Sequence, residues 1–279
     1  MLKTRVITAL VLLTLLLPSL FLLPQAQWAL LLAAVVGVGA WEWGALLGWP
    51  EGRRRLLGVA VAIICAVVSL LAPEVIGAGE VFAPAPRWVL VVYGLAAMFW
   101  FVVIPLWLRA KWALGGGLIG LLVGALVLFP TWLALVQLRV LGPGVLLGLF
   151  AVVWVADIAA YFSGKAFGKH KLAPSISPGK TREGAVGAVV GVVAYGLAVR
   201  AGFSLELLSL PFWLLALLLI TAISIIGDLY ESMLKRQAGI KDSSNVLPGH
   251  GGVLDRIDSL TSTMPIIALL WLLLVYPAQ

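Results

Sequence analysis

Residues 228–258 hold the densest run of side chains able to do chemistry. Asp228, Glu231, Ser232 and Lys235 stand at i, i+3, i+4 and i+7, so a helix would carry all four on one stripe. Asp255, Asp258 and Ser259 repeat that spacing. Arg236, Lys241 and Arg256 lie between or beside them, around the turn Pro248-Gly249-His250-Gly251-Gly252. Carboxylates attract a hard divalent cation, and Mg²⁺ is commonly held by one or two of them together with substrate phosphates. Lys235, Arg236, Lys241 and Arg256 supply countercharge for a polyphosphate, and glycine at 251 and 252 lets backbone N–H groups approach an oxygen closely. Taken singly, each residue has a plainer role: His250 as a hydrogen-bonded loop histidine, Lys235 and Arg236 as interface anchors, Asp258 as a cap. Two carboxylate-bearing helix ends, four cations and a Gly-Gly turn together point to a phosphate site.

A second polar segment spans 157–183. Asp157, Tyr161 and Lys165 lie four apart, on one helical face. From Ser177 to Gly184, hydroxyls, small residues and the cations Lys180 and Arg182 precede an apolar run. A helix start with free N–H groups and adjacent cations is a ready anion site. Thr181 as the N-cap of a basic surface loop accounts for the stretch equally well.

Composition says that membrane helices position these segments. The chain is 62% apolar and only 11% charged, where soluble domains run at about 45–50% and about 25%. A bilayer crossing needs about 20 mainly apolar residues. Nine such spans are predicted, at 6–23, 28–48, 57–73, 88–108, 114–136, 141–162, 184–202, 210–230 and 259–277. The expected fold class is all-α, a polytopic transmembrane helical protein, with N-terminal spans in 1–140 and a catalytic region in 141–279. The first run follows Lys3 and Arg5 but exceeds a signal-peptide core of about 7–15 residues and lacks a clean cleavage site, so it reads as an uncleaved helix.

With a cytoplasmic N-terminus and alternating spans, 16 of the 19 Lys and Arg fall on the cytoplasmic side. Only Arg87, Arg139 and Arg200 fall outside, and the positive-inside rule favours that orientation. Both polar segments then face the cytoplasm from the inner (plasma) membrane. The net charge of +7 belongs to a surface that meets anionic lipid headgroups, and no nucleic-acid partner is expected. Residues 50–56 read as a short cytoplasmic turn anchored by Arg53, Arg54 and Arg55, and 74–87 as a periplasmic connector.

Other signals are weaker. Residues 115–120 match G-x-G-x-x-G, but within an apolar span, with no preceding strand and no acidic residue about 20 positions on. Gly116, Gly120 and Gly124, like Gly187 and Gly191, have the spacing of close helix packing. Cys65 is alone and forms no intramolecular disulfide. Glu42 lies in span two between Trp41 and Trp43. An ionisable group there is a functional candidate by default, but a buried hydrogen bond explains it as well, and it stays outside the expected site.

Ser232-x-x-Lys235-Arg236, Lys241-Asp242, His250-Gly251-Gly252 and Asp255-Arg256-x-Asp258 resemble the signature of the phosphatidate cytidylyltransferases, the CDP-diacylglycerol synthases. Ser177-Pro178-x-Lys180-Thr181-x-Glu183-Gly184 is similar to that family too. The resemblance implies transfer of CMP from CTP to phosphatidic acid, giving CDP-diacylglycerol and pyrophosphate. It implies Mg²⁺, with a monovalent cation such as K⁺ beside it, Asp228 and Asp255 as metal ligands, and a homodimer. The expected catalytic set is Asp228, Lys241, Asp255 and Arg256. The expected substrate contacts are Lys165, Ser177, Lys180, Thr181, Arg182, Ser232, Lys235, Arg236, His250, Gly251, Gly252 and Asp258.

The inventory suits that reaction. A phosphate monoester carries about −1.5 to −2 charge near neutral pH, so the nucleophile needs no strong base, and no Ser-His-Asp or Cys-His set is visible. Positioning and charge neutralisation would carry catalysis. A CTP-dependent kinase of a membrane alcohol would share the spans, the Mg²⁺ and the basic site, but not the full 232–258 signature. A lipid transporter or lipid-binding protein would favour ionisable groups near the bilayer midplane, whereas here they cluster at one face.

Overall fold

The computed structural model describes residues 2–78, 86–204 and 207–275. Among the described residues, nine helices are long and apolar enough to cross a bilayer. They are α1 (Leu2–Leu22), α2 (Gln25–Leu46), α3 (Glu51–Leu71), α4 (Arg87–Ala110, with a π-helical turn at Phe99–Val103), α5 (Leu118–Arg139), α6 (Pro143–Phe167), α7 (Arg182–Gly202), α8 (Leu210–Gln237) and α9 (Leu254–Val275). The expected all-α membrane fold is what the chain adopts. One small addition is a hairpin of β1 (Lys171–Ala173) and β2 (Ser177–Thr181), paired antiparallel between α6 and α7. Residues 79–85 of the expected connector and 276–277 of the ninth span lie outside the described residues.

At the charged segments the helices run further than the hydropathy reading has them. The expected turn at 50–56 is instead the start of α3: Glu51 pairs with Arg54 and Arg55 at 3.1 and 2.8 Å, one turn apart on the same helix. At the other polar segment, α8 continues past 230 to Gln237, and α9 begins at Leu254 rather than 259. Charged residues end a hydropathy window, but they do not end a helix whose side chains pair along it. From Leu210 to Asp228, α8 covers about 27 Å, close to the roughly 30 Å hydrocarbon core. Its last turns therefore emerge where a polar stripe is tolerated.

Helix α9 packs against α8, α5 and α4, while α2 packs on α3 and α5, and α6 on α7. Small residues set the closest approaches. A Cβ on Gly124 of α5 would lie 2.7 Å from Trp43 Cδ1 of α2, and one on Gly227 of α8 would lie 3.0 Å from the Asp258 carbonyl of α9. The second crossing seats Asp228 beside Asp258. Gly187 and Gly191 likewise face Ser163 and Ala159 across the α6–α7 contact, as their spacing predicts. Two of the three outlying arginines serve the fold. Arg139 is buried and donates from Nε to the Leu20 carbonyl at 2.9 Å and from Nη1 to Gln25 Oε1 at 3.0 Å. Arg200 donates to the Leu208 carbonyl at 2.6 Å.

Candidate active site

A cavity of about 510 Å³ lies where α6, the β1–β2 hairpin, α7 and α8 meet. Its polar wall comprises Asp157 and Lys165 of α6, Ser177, Lys180 and Thr181 of β2, and Asp228 of α8. Its apolar wall is built from small residues, Ala156, Ala160 and Gly164 of α6 with Gly184, Ala185 and Ala188 of α7. Helical periodicity aligns Asp157, Tyr161 and Lys165 as expected, and all three line the cavity.

The hairpin brings Lys180 to Asp228, and the two form an ion pair across the cavity. Ser232 Oγ donates to Asp228 Oδ1 at 3.3 Å, one turn along α8. Asp157 and Asp258 lie within Coulombic range of Asp228, with Lys180 and Arg256 acting on Asp157 and Lys235 on Asp258. Thr181 fills the plainer of its two expected roles: its Oγ1 accepts the Gly184 N–H at 3.0 Å as the N-cap of α7. The exposed Arg182 donates its backbone N–H to the His170 carbonyl at 2.9 Å. Glu183 accepts from His170 Nδ1 at 2.7 Å, which ties the hairpin to the helix.

The second segment forms a separate, tighter knot beside the cavity. Asp255 sits at the head of α9 with its side chain 4% exposed. Its Oδ2 accepts the backbone N–H of Ser243 at 2.8 Å and of Gly252 at 2.7 Å, with Ser243 Oγ at 2.8 Å. Its Oδ1 accepts from Lys235 Nζ at 2.5 Å, and that ammonium also lies 3.1 Å from Glu231 Oε1. His250 closes a tight turn in which the Leu247 N–H reaches the Gly251 carbonyl at 2.9 Å. Its buried Nδ1 meets no hydrogen-bond partner among the described residues. Arg236, Lys241 and Arg256 are exposed.

Of the residues expected from sequence, the cavity therefore gathers Lys165, Ser177, Lys180, Thr181 and Asp228. Lys235, Asp255, His250, Gly251 and Gly252 belong to the knot, and Ser232 and Asp258 stand near Asp228 between the two. Sequence reasoning left out Asp157, which lines the cavity, and Glu42. The Glu42 carboxylate, 0% exposed on α2, accepts the backbone N–H of Val253 at 2.9 Å and of Leu254 at 2.7 Å. Ser244 Oγ donates to it at 2.5 Å. The signal was an acidic residue inside an apolar span, but nothing in the sequence named its partners.

Among the described residues, no three His, Cys, Asp or Glu side chains converge as a metal-holding group. The carboxylates that line the cavity, Asp228 and Asp157, suit a hard ion completed by water and substrate phosphate. Asp255 offers Oδ1 alone, in exchange for Lys235, because its other oxygen is already filled.

Comparison with known proteins shows the family of the whole chain. Residues 3–274 match the cytidylyltransferase family. A phosphatidate cytidylyltransferase of Pseudomonas aeruginosa is 46% identical, with 97% of each chain covered. One of Haemophilus influenzae is 37% identical, over 95% of this chain and 96% of that protein. One of Brucella suis is 49% identical over 43% of this chain and 44% of its own length.

Proposed function

This chain belongs to the cytidylyltransferase family, and we infer from that premise that it transfers CMP from CTP to phosphatidic acid. A phosphate oxygen of the lipid forms a bond to the α-phosphorus of CTP, and the bond from that phosphorus to the bridging oxygen breaks. The products are CDP-diacylglycerol and pyrophosphate. The observation that carries this reading is the two-sided cavity, polar at Asp157, Lys165, Lys180 and Asp228 and apolar along α6 and α7. An amphipathic lipid phosphate needs both walls, and its nucleotide partner needs cations.

The lipid phosphate is already anionic near neutral pH, so the residues act by placement and charge rather than as a base. Lys165 holds the lipid phosphate in the cavity and Lys180 a phosphate of the nucleotide where the two meet, with Thr181 fixing the start of α7 beneath them. Arg256, Lys241 and Arg236, exposed around the knot, meet the nucleotide's polyphosphate and the departing pyrophosphate. We place Mg²⁺ at Asp228, with Asp255 Oδ1 as its second protein ligand. When bound, it supplies charge neutralisation on the phosphates. Asp157 and Asp258 remain for a monovalent cation such as K⁺. The site faces the cytoplasm from the inner membrane on this reading, where CTP arrives from water and the lipid from the bilayer, and the protein works as a homodimer. The test is to mix the purified chain with CTP, phosphatidic acid and Mg²⁺ and follow pyrophosphate. Phosphorylation of a polyprenol instead would favour the kinase reading, and no turnover with either would favour a binding protein.

A further inference from the structure

The reaction as described gives Glu42 no part, yet its carboxylate sits where the two ends of the 243–254 loop come together. At one end Ser244 Oγ donates to Oε1 at 2.5 Å, and Ser243 Oγ lies between Glu42 Oε2 at 3.2 Å and Asp255 Oδ2 at 2.8 Å. At the other end the N–H groups of Val253 and Leu254 donate to Oε1 and Oε2 at 2.9 and 2.7 Å. Those are orphan donors of the first turn of α9, and a negative charge there also meets the positive end of the helix dipole. Among the described residues no cation pairs with Glu42. Its charge is held by the loop and the helix start alone.

Asp255 and Arg256 follow directly after the clamped residues, and the His250 turn precedes them. The Ser243 hydroxyl joins the two carboxylates, and Asp255 passes the connection to Lys235. We infer that Glu42 is a positioning residue for cytidylyl transfer. It fixes where Asp255, Arg256 and the His250 turn stand relative to Asp228, which makes α2, in the N-terminal half, part of the catalytic apparatus. The inference rests on the function proposed above.

Glu42→Gln keeps the size of the side chain but turns an amide NH₂ toward one of the two backbone N–H groups. Pyrophosphate release by the full chain, with CTP and phosphatidic acid varied in turn, reads the effect. The expected result is a kcat lower by about 10²-fold, with the KM for phosphatidic acid within about threefold of wild type. Tyr93→Phe is the comparator. It removes a 2.9 Å bond to Gln137 away from the loop and should leave kcat at the wild-type value. Should Glu42→Gln not fold, Ser244→Ala, which removes one donor and keeps the charge, is expected to lower kcat by about three- to tenfold. A folded Glu42→Gln protein within about threefold of wild-type kcat, or a loss matched by Tyr93→Phe, overturns the inference. So does a wild-type kcat in Ser244→Ala if that variant has to decide. Wild-type protein that makes no pyrophosphate overturns the cytidylyl-transfer reading itself.

Discussion

Adding a single methyl group at Gly252 tests whether the loop must sit where it does. A Cβ there would lie 2.6 Å from Glu42 Cδ and closer still to Glu42 Oε1 and Ser243 Oγ, where ordinary contact begins at 3.4 Å. The carboxylate is buried and held by Ser244, Val253 and Leu254, so the loop has to yield, by about 1 Å. Overpacking of this kind costs about 1–3 kcal/mol, within the roughly 5–15 kcal/mol by which proteins are stable, and Gly252→Ala should fold. Displacing catalytic groups by about 1 Å can cost 10²-fold in rate, or about 2.7 kcal/mol of barrier. The assay is pyrophosphate release at saturating CTP and phosphatidic acid, alongside thermal melting in detergent. Gly52→Ala is the control, since nothing lies within 4 Å of a Cβ there. Turnover of Gly252→Ala within about threefold of wild type would refute the claim that this turn is rigidly packed for catalysis.

The remaining expectations concern charge and orientation. Asp228→Asn should lower turnover by about 10²–10³-fold with melting little changed, whereas Asp255→Asn should also lose about 3 kcal/mol of stability, because it deprives the buried Lys235 of one partner; equal melting of the two variants would contradict the division between cavity and knot. Lys180→Ala should weaken the use of CTP more than that of phosphatidic acid, by about 1.5–3 kcal/mol, and unchanged kinetics with CTP would remove Lys180 from the phosphate site. In a Cys65→Ala background, Asn245→Cys should react with an impermeant thiol reagent only from the cytoplasmic side and Ala78→Cys only from the opposite side. Labelling of both from one side would sink the orientation. Asn245 is the suitable probe because Ser243 is buried.

The nine long apolar helices among the described residues were legible because about 20 apolar residues in a row have few other uses. The stripes Asp157-Tyr161-Lys165 and Asp228-Ser232 were legible because helical period alone aligns them. Three features were not. The β1–β2 hairpin, which delivers Lys180 to Asp228, spans strands of three and five residues with no alternating pattern to reveal them. Burial of Lys235 between Glu231 and Asp255 depends on how closely α8 and α9 cross, a distance set at Gly227 and invisible in the spacing of either helix. Glu42 is 201 residues from Ser243, and local periodicity cannot reach across that separation.

Glycine at 251 and 252 leaves the backbone free to approach an oxygen closely. The structure fills that freedom from within. Gly251, at φ +81°, has Asp255 Oδ2 2.6 Å from where its Cβ would stand, and the space beside Gly252 is taken by Glu42. The Gly252 N–H is given to Asp255. Glycines and buried carboxylates are thus one device, in which backbone N–H groups neutralise charge that side-chain cations would otherwise have to meet. The consequence appears in the ion pairs. Among the described residues, Lys235 and Lys180 are engaged by carboxylates, but Lys165, Arg182, Arg236, Lys241 and Arg256 are not. Had Glu42 and Asp255 been satisfied by arginine or lysine alone, that positive charge would be spent inside the fold. Because the loop's own amides do much of that work, the outward cations are left without carboxylate partners among the described residues, as the proposed phosphate contacts require.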